Sequence, residues 1–154
     1  MIKIKFLMEK LLKKKKMNYK IIGKYINELD FNIPDPKTFF SLTKDISNYK
    51  INIDIKSNQI EKKIINVKTA LKLIPIKENL QKIDTKIVFS TIIEISDKVD
   101  KKEIEKIILV KVPTEIYPQL REIFIYVFEN SGFKEVKISK AVDFQKLFDL
   151  RKIQ

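Results

Sequence analysis

Cysteine, histidine and tryptophan are absent from this 154-residue chain, and glycine occurs only at Gly23 and Gly132. Without cysteine there is no thiolate nucleophile and no disulfide framework. Without histidine there is no imidazole base, and the usual haem and zinc ligand sets are missing. Two glycines cannot build a phosphate-cradling loop, and no Asp/Glu pair has the motif spacing of metal binding or acid–base catalysis. The sequence therefore carries no catalytic residue, no metal ligand set and no cofactor motif, and an enzyme is not expected. Long apolar runs are lacking too. None approaches the roughly 20 residues of a membrane span. The longest near the N-terminus, Phe6 to Met8, is shorter than the roughly 7–15 residues of a secretory signal core. The expectation is a cytoplasmic protein with no stable membrane insertion.

Positive charge is plentiful: 32 basic against 20 acidic residues give +12. Arginine, however, occurs only at Arg121 and Arg151, beside 30 lysines and 28 isoleucines. AT-rich codons specify lysine, isoleucine and asparagine, so coding bias accounts for both excesses. Nucleic-acid recognition recruits arginine for bidentate phosphate and base contacts, so nucleic acid is disfavoured as a partner. Seven of the lysines lie in Met1–Lys16 against the single acid Glu9. Residues 1–18 are read as a basic leader, either a disordered tail or a start placed upstream of Met17. Its Ile4, Leu7, Met8, Leu11 and Leu12 have helical spacing, which keeps a peripheral membrane contact open.

Residues 19–154 read as one domain. Tyr19 to Phe31 forms a first strand, with a bulge or bend expected at Gly23. Asn32 to Asn48, with Pro34 and Pro36 and several turn formers, is expected to be a long irregular connection. Tyr49, Ile51, Ile53 and Ile55 alternate with polar residues as a second strand, turned at Ser57 to Gln59. Ile65 to Leu73 and Ile87 to Ile95 continue the pattern. Asp100 and Glu103 have capping-box spacing ahead of an apolar stripe of Ile104, Ile107, Ile108 and Val112. Pro113 predicts a break at Val112. A second helix then carries Ile116, Leu120, Ile123, Phe124, Val127 and Phe128, stopped at Ser131-Gly132. Asp143 caps a final helix with Phe144, Leu147, Phe148 and Ile153. The fold class is α+β: a four-stranded antiparallel sheet, with a long interrupted helix and a short C-terminal helix packed on one face.

Three patches in this order carry a family resemblance. Tyr25 to Phe31 followed by Asn32-Ile33-Pro34-Asp35-Pro36 is a strand end leading into a proline-containing loop. In Val112 to Glu122, two prolines five apart, Pro113 and Pro118, precede Arg121-Glu122. Gly132-Phe133, then Ala141-Val142-Asp143-Phe144-Gln145-Lys146-Leu147-Phe148, gives a glycine-aromatic stop and a terminal helix. Together they resemble SecB, the bacterial protein-export chaperone family, over roughly Tyr19 to Leu150.

The resemblance implies a homotetramer built as a dimer of dimers, with Ile116, Leu120, Phe124 and Val127 of the long helix as interface residues. It also implies a holding chaperone that keeps nonnative precursor proteins unfolded and delivers them to the SecA motor. The client groove would involve Phe31, Phe39, Phe40, Phe133, Phe144 and Phe148, and Glu28 would serve SecA docking. That docking face departs from the family: Asn32 and the lysine near Lys86 to Phe89 replace carboxylates, and like charges repel a basic tail. Lys140 stands where the family has a proline. Two alternatives stay open, a SecB-like chaperone of another system, such as one guarding antitoxins, and a lysine-rich nucleic-acid-binding module.

Overall fold

The computed structural model describes residues 3–8, 18–134 and 136–152. Period-2 alternation builds its sheet. Strands β1 (Tyr19–Asn32), β2 (Tyr49–Glu61), β3 (Ile64–Pro75) and β4 (Asp84–Ile95) pair antiparallel in the order β1-β4-β3-β2. The expected α+β architecture is the one observed. β1 and β2, adjacent in the chain, lie at opposite edges, so the connection between them must cross the sheet. The odd-numbered Val67, Leu71 and Leu73 of β3 and Ile87, Phe89 and Ile93 of β4 are buried on one face. The register places Lys68, Lys72, Lys86 and Glu94 on the other.

Two strand details differ from the sequence reading. The β2–β3 turn lies at Lys62-Lys63, because Ser57, Asn58 and Gln59 stay in the ladder opposite Val67, Asn66 and Ile65. That end of β2 is exposed, so it needs no apolar side chains to remain a strand. The bulge expected at Gly23 falls beside it, between Ile21 and Gly23, and a second one lies between Ile26 and Glu28. A Cβ on Gly23 would only touch Ile92 at 3.7 Å, so the glycine is not sterically required there.

The crossing connection is not irregular: α1 (Pro36–Asp45) occupies most of it, followed by a 3₁₀ turn at Ile46–Asn48. Pro36 at the start of α1 lacks only an N–H that would be orphaned anyway. The Asp35 carboxylate accepts from Thr38 N–H at 2.7 Å, and that bond holds its pKa below the ordinary carboxylate value. Prolines read as loop formers are here helix starters.

The break expected at Val112 is also absent. α2 (Lys101–Lys106), capped by Asp100, runs through a π-helical turn at Ile107–Lys111 into α3 (Val112–Asn130). Val112 keeps φ −63° and ψ −51°, and its N–H reaches back five residues to the Ile107 carbonyl. Widening the helix just before Pro113 accommodates the proline ring without a break.

α3 ends in a Schellman cap: Phe133 N–H donates to Phe128 O (3.1 Å) and Gly132 N–H to Glu129 O (3.3 Å). Gly132 takes φ +97° to allow this. α4 (Phe144–Lys152) is capped by Asp143, which accepts from Lys146 N–H at 2.9 Å; Ile153 lies outside the described residues. Of the leader, residues 3–8 are helical with Ile4, Leu7 and Met8 exposed, while Leu11 and Leu12 lie outside the described residues.

The core lies between the sheet and α3. Ile116, Leu120 and Phe124, expected from the resemblance at a subunit contact, are 2%, 0% and 1% exposed and fill the chain's own core. Their stripe faces the sheet, the nearest apolar surface to bury it. Val127, the fourth, is half-buried, and the side left outward carries exposed Tyr126.

Gly132→Ala places a Cβ in left-handed backbone and within 3.1 Å of the Phe39 ring. It is expected to lose about 1–2 kcal/mol of stability in urea unfolding; an unchanged midpoint contradicts the cap. Leu120→Ala is expected to cost about 2–5 kcal/mol, a penalty that persists when the protein is diluted to its smallest oligomer. A penalty that vanishes on dilution would place Leu120 between subunits.

Candidate functional site

The crossing helix α1 and the segment following α3 stand as two walls over the start of β2. Between them lies a groove of about 550 Å³. One wall is Thr43, Ile46 and Ser47. The floor is Tyr49 and Ile51 of β2 with Leu73 of β3, exposed Lys50 stands at its edge, and the far wall is Phe133, Lys134, Val136, Lys137 and Ile138. Side-chain hydrogen bonds hold these walls in place. Tyr49 Oη donates to Gln81 O (2.6 Å), and Gln81 Nε2 donates to Thr38 Oγ1 of α1 (3.1 Å). From α3, Tyr117 Oη donates to Ser139 O (2.7 Å), and Arg121 donates from Nε and Nη2 to Ile138 O (3.2 and 3.1 Å). Burial raises both tyrosine pKa values; the Asp45 carboxylate adds to the rise at Tyr49, and Arg121 opposes it at Tyr117. Both hydroxyls therefore stay protonated as donors.

An aromatic chain continues from the groove. Phe133 lies 5.2 Å from Phe39, measured between ring centroids, and Phe39 lies 5.7 Å from Phe40. On its other side Phe133 meets Phe128 at 5.7 Å, and Phe128 meets Phe31 at 5.0 Å. Four of the six aromatics expected at a groove are thus joined, through Phe128. They differ in exposure: Phe40 is 69% exposed, Phe39 and Phe31 are half-buried, and Phe133 is buried.

Phe144 and Phe148 are elsewhere. Both are buried, Phe144 against Tyr117 at 6.0 Å. They back a smaller depression of about 290 Å³ with Ile53, Ile55, Leu109 and Leu147. Burial there stabilises each ring by roughly 1.5–3 kcal/mol, which is why a short amphipathic helix spends them on the core. The residues that line the groove between α1 and the post-helix segment, beyond Phe133, were not picked out by sequence reasoning. Val136 and Ile138 have strand spacing in a segment too short to form a strand, and this was the available signal.

Glu28 lies on the opposite, outer face of the sheet. It pairs with Lys86 at 3.2 Å, and Asp30 stands opposite Lys86 in the β1–β4 register. Among the described residues no group of three or more Asp or Glu could hold a metal ion, and no helix is long and apolar enough to cross a membrane.

Residues 12–154 match the family model described as preprotein translocase subunit SecB. A putative protein-export protein SecB of Pelagibacter ubique is 42% identical over 87% of this chain and 96% of that protein. A protein-export protein SecB of Gluconacetobacter diazotrophicus is 24% identical, covering 83% of this chain and 80% of its own. Among solved structures, a SecB-like chaperone of Mycobacterium tuberculosis, in complex with a peptide from an antitoxin, matches with a TM-score of 0.56. Its identity is 10%, over 92% of this chain and 97% of that one, a likeness of fold. The family match across nearly the whole chain, the strong relative and the shared sheet-and-helix fold lead to one conclusion: this chain belongs to the SecB family of protein-export chaperones, which are not enzymes.

Proposed function

We propose that this chain is a cytoplasmic holding chaperone that takes up nonnative segments of precursor proteins in the groove between α1 and residues 133–140. The observation that carries this reading is the groove's composition. Tyr49, Ile51, Leu73, Phe133, Val136 and Ile138 offer apolar area without a reactive group, and exposed Phe40 extends it along α1. Binding that tolerates many sequences must draw on area and aromatic contact. Hydrogen bonds to Ser139 O and Ile138 O preset the far wall, so little ordering entropy opposes binding.

Assembly to a tetramer is part of the same proposal. β1 is an edge strand, and Ile26 and Leu29 on it are exposed, as is Tyr126 on the outer side of α3. An unpaired edge bearing apolar side chains favours a second copy. Delivery to SecA through Glu28 is expected to be weak, because Lys86 already neutralises that carboxylate. The relatives named for protein export favour this assignment over antitoxin guarding.

The purified protein is expected to suppress aggregation of an unfolded precursor of near-zero net charge, equally at low and high salt. Phe40→Ala is expected to weaken holding about tenfold without moving the unfolding midpoint, since that side chain is largely exposed. No suppression by the wild-type protein, or suppression lost with salt, overturns the reading.

A further inference from the structure

Resting on the groove reading above, we infer that the groove prefers apolar segments flanked by carboxylates, and disfavours segments flanked by lysine or arginine. Its lining supplies the reason. Lys50, Lys134 and Lys137 stand on it, and no carboxylate does among the described residues. All three lysines are exposed at its rim, and none makes an ion pair among the described residues. The Asp45 carboxylate acts on Tyr49 from beyond this lining, and Glu135 lies outside the described residues.

A general lysine excess does not explain this. Three other depressions carry both signs: one sets Asp54 against Arg151, and a second sets Glu105 against Lys101 and Arg151. The third, on the β3–β4 connection, mixes several acids with several lysines. Among the described residues, these three linings carry both signs, whereas that of the groove with the apolar floor carries one. Cations around a low-dielectric concavity focus the field, so a carboxylate placed beside a seated apolar side chain gains more there than on open surface. Apolar contact thus supplies sequence-tolerant affinity, and the rim supplies the choice of neighbouring charge.

The test uses the full chain and three fluorescent nonapeptides with one apolar-aromatic centre, flanked by aspartate, serine or lysine. Anisotropy at about 20 mM salt is expected to rank them aspartate, serine, lysine, with about tenfold between the first two for three rim pairs. The aspartate advantage is expected to shrink below about twofold at 0.5 M salt, while the serine peptide binds as before. A triple variant, Lys50→Gln, Lys134→Gln, Lys137→Gln, should lose the ranking and keep serine-peptide affinity; these exposed positions leave the fold intact. Equal binding of all three peptides overturns the inference and leaves the groove reading standing. Failure of the serine peptide to bind overturns the groove reading itself. A single-stranded oligonucleotide that outcompetes the aspartate peptide at 150 mM salt also overturns the inference, assigning the rim to nucleic acid.

Discussion

Phe128 is where the molecule is joined. Its ring lies 4.7 Å from Phe124 on the same helix, 5.0 Å from Phe31 at the end of β1 and 5.7 Å from Phe133 beyond the helix. Its carbonyl also accepts the Schellman bond from Phe133 N–H. One side chain therefore ties the edge of the sheet, the long helix and the far wall of the groove. Phe133 carries the link onward to Phe39, which turns the crossing helix toward the same point. Gly132 makes the geometry possible, since only its missing Cβ lets the chain reverse there against the Phe39 ring. A groove set between α1 and the post-helix segment follows from that junction.

Much of the scaffold was legible because its signals are local. The Ile51-Ile53-Ile55 alternation, the Asp100 and Asp143 caps and the glycine stop at Gly132 each act within a few residues, and each stands where expected. The strand order was not legible. Nothing between Ile33 and Asn48 encodes that β1 pairs with β4; that pairing is set by which edge the crossing helix reaches. Proline was misleading twice for one reason. Its ring excludes helix only where an N–H is needed or the preceding turn is tight, and neither holds at Pro36, a first helical residue, or at Pro113, after a π turn.

The site was legible in part. Phe39, Phe40 and Phe133 come together as aromatics on adjoining segments. Phe144 and Phe148 do not join them, because an amphipathic helix of nine residues has little else with which to hold itself to the sheet. Ile116, Leu120 and Phe124 show the same competition: a stripe assigned to another subunit is taken first by the chain's own sheet. Charge differs between the two faces of the molecule. Glu28 is engaged by Lys86 on the outer face, and lysines alone rim the groove among its described lining residues. On the proposed reading, area supplies affinity and charge supplies choice.

The central claim is that nonnative chain lies in the groove between α1 and residues 133–140. The absence of cysteine makes a direct measurement simple, because one introduced thiol is unique. A photocrosslinker attached at Ser47→Cys, on the groove wall, is compared with the same group at Lys68→Cys, on the outer face of the sheet. With an unfolded precursor present, the account requires crosslinks from Ser47→Cys and few from Lys68→Cys. Crosslinks chiefly from Lys68→Cys, or equally from both, would contradict it.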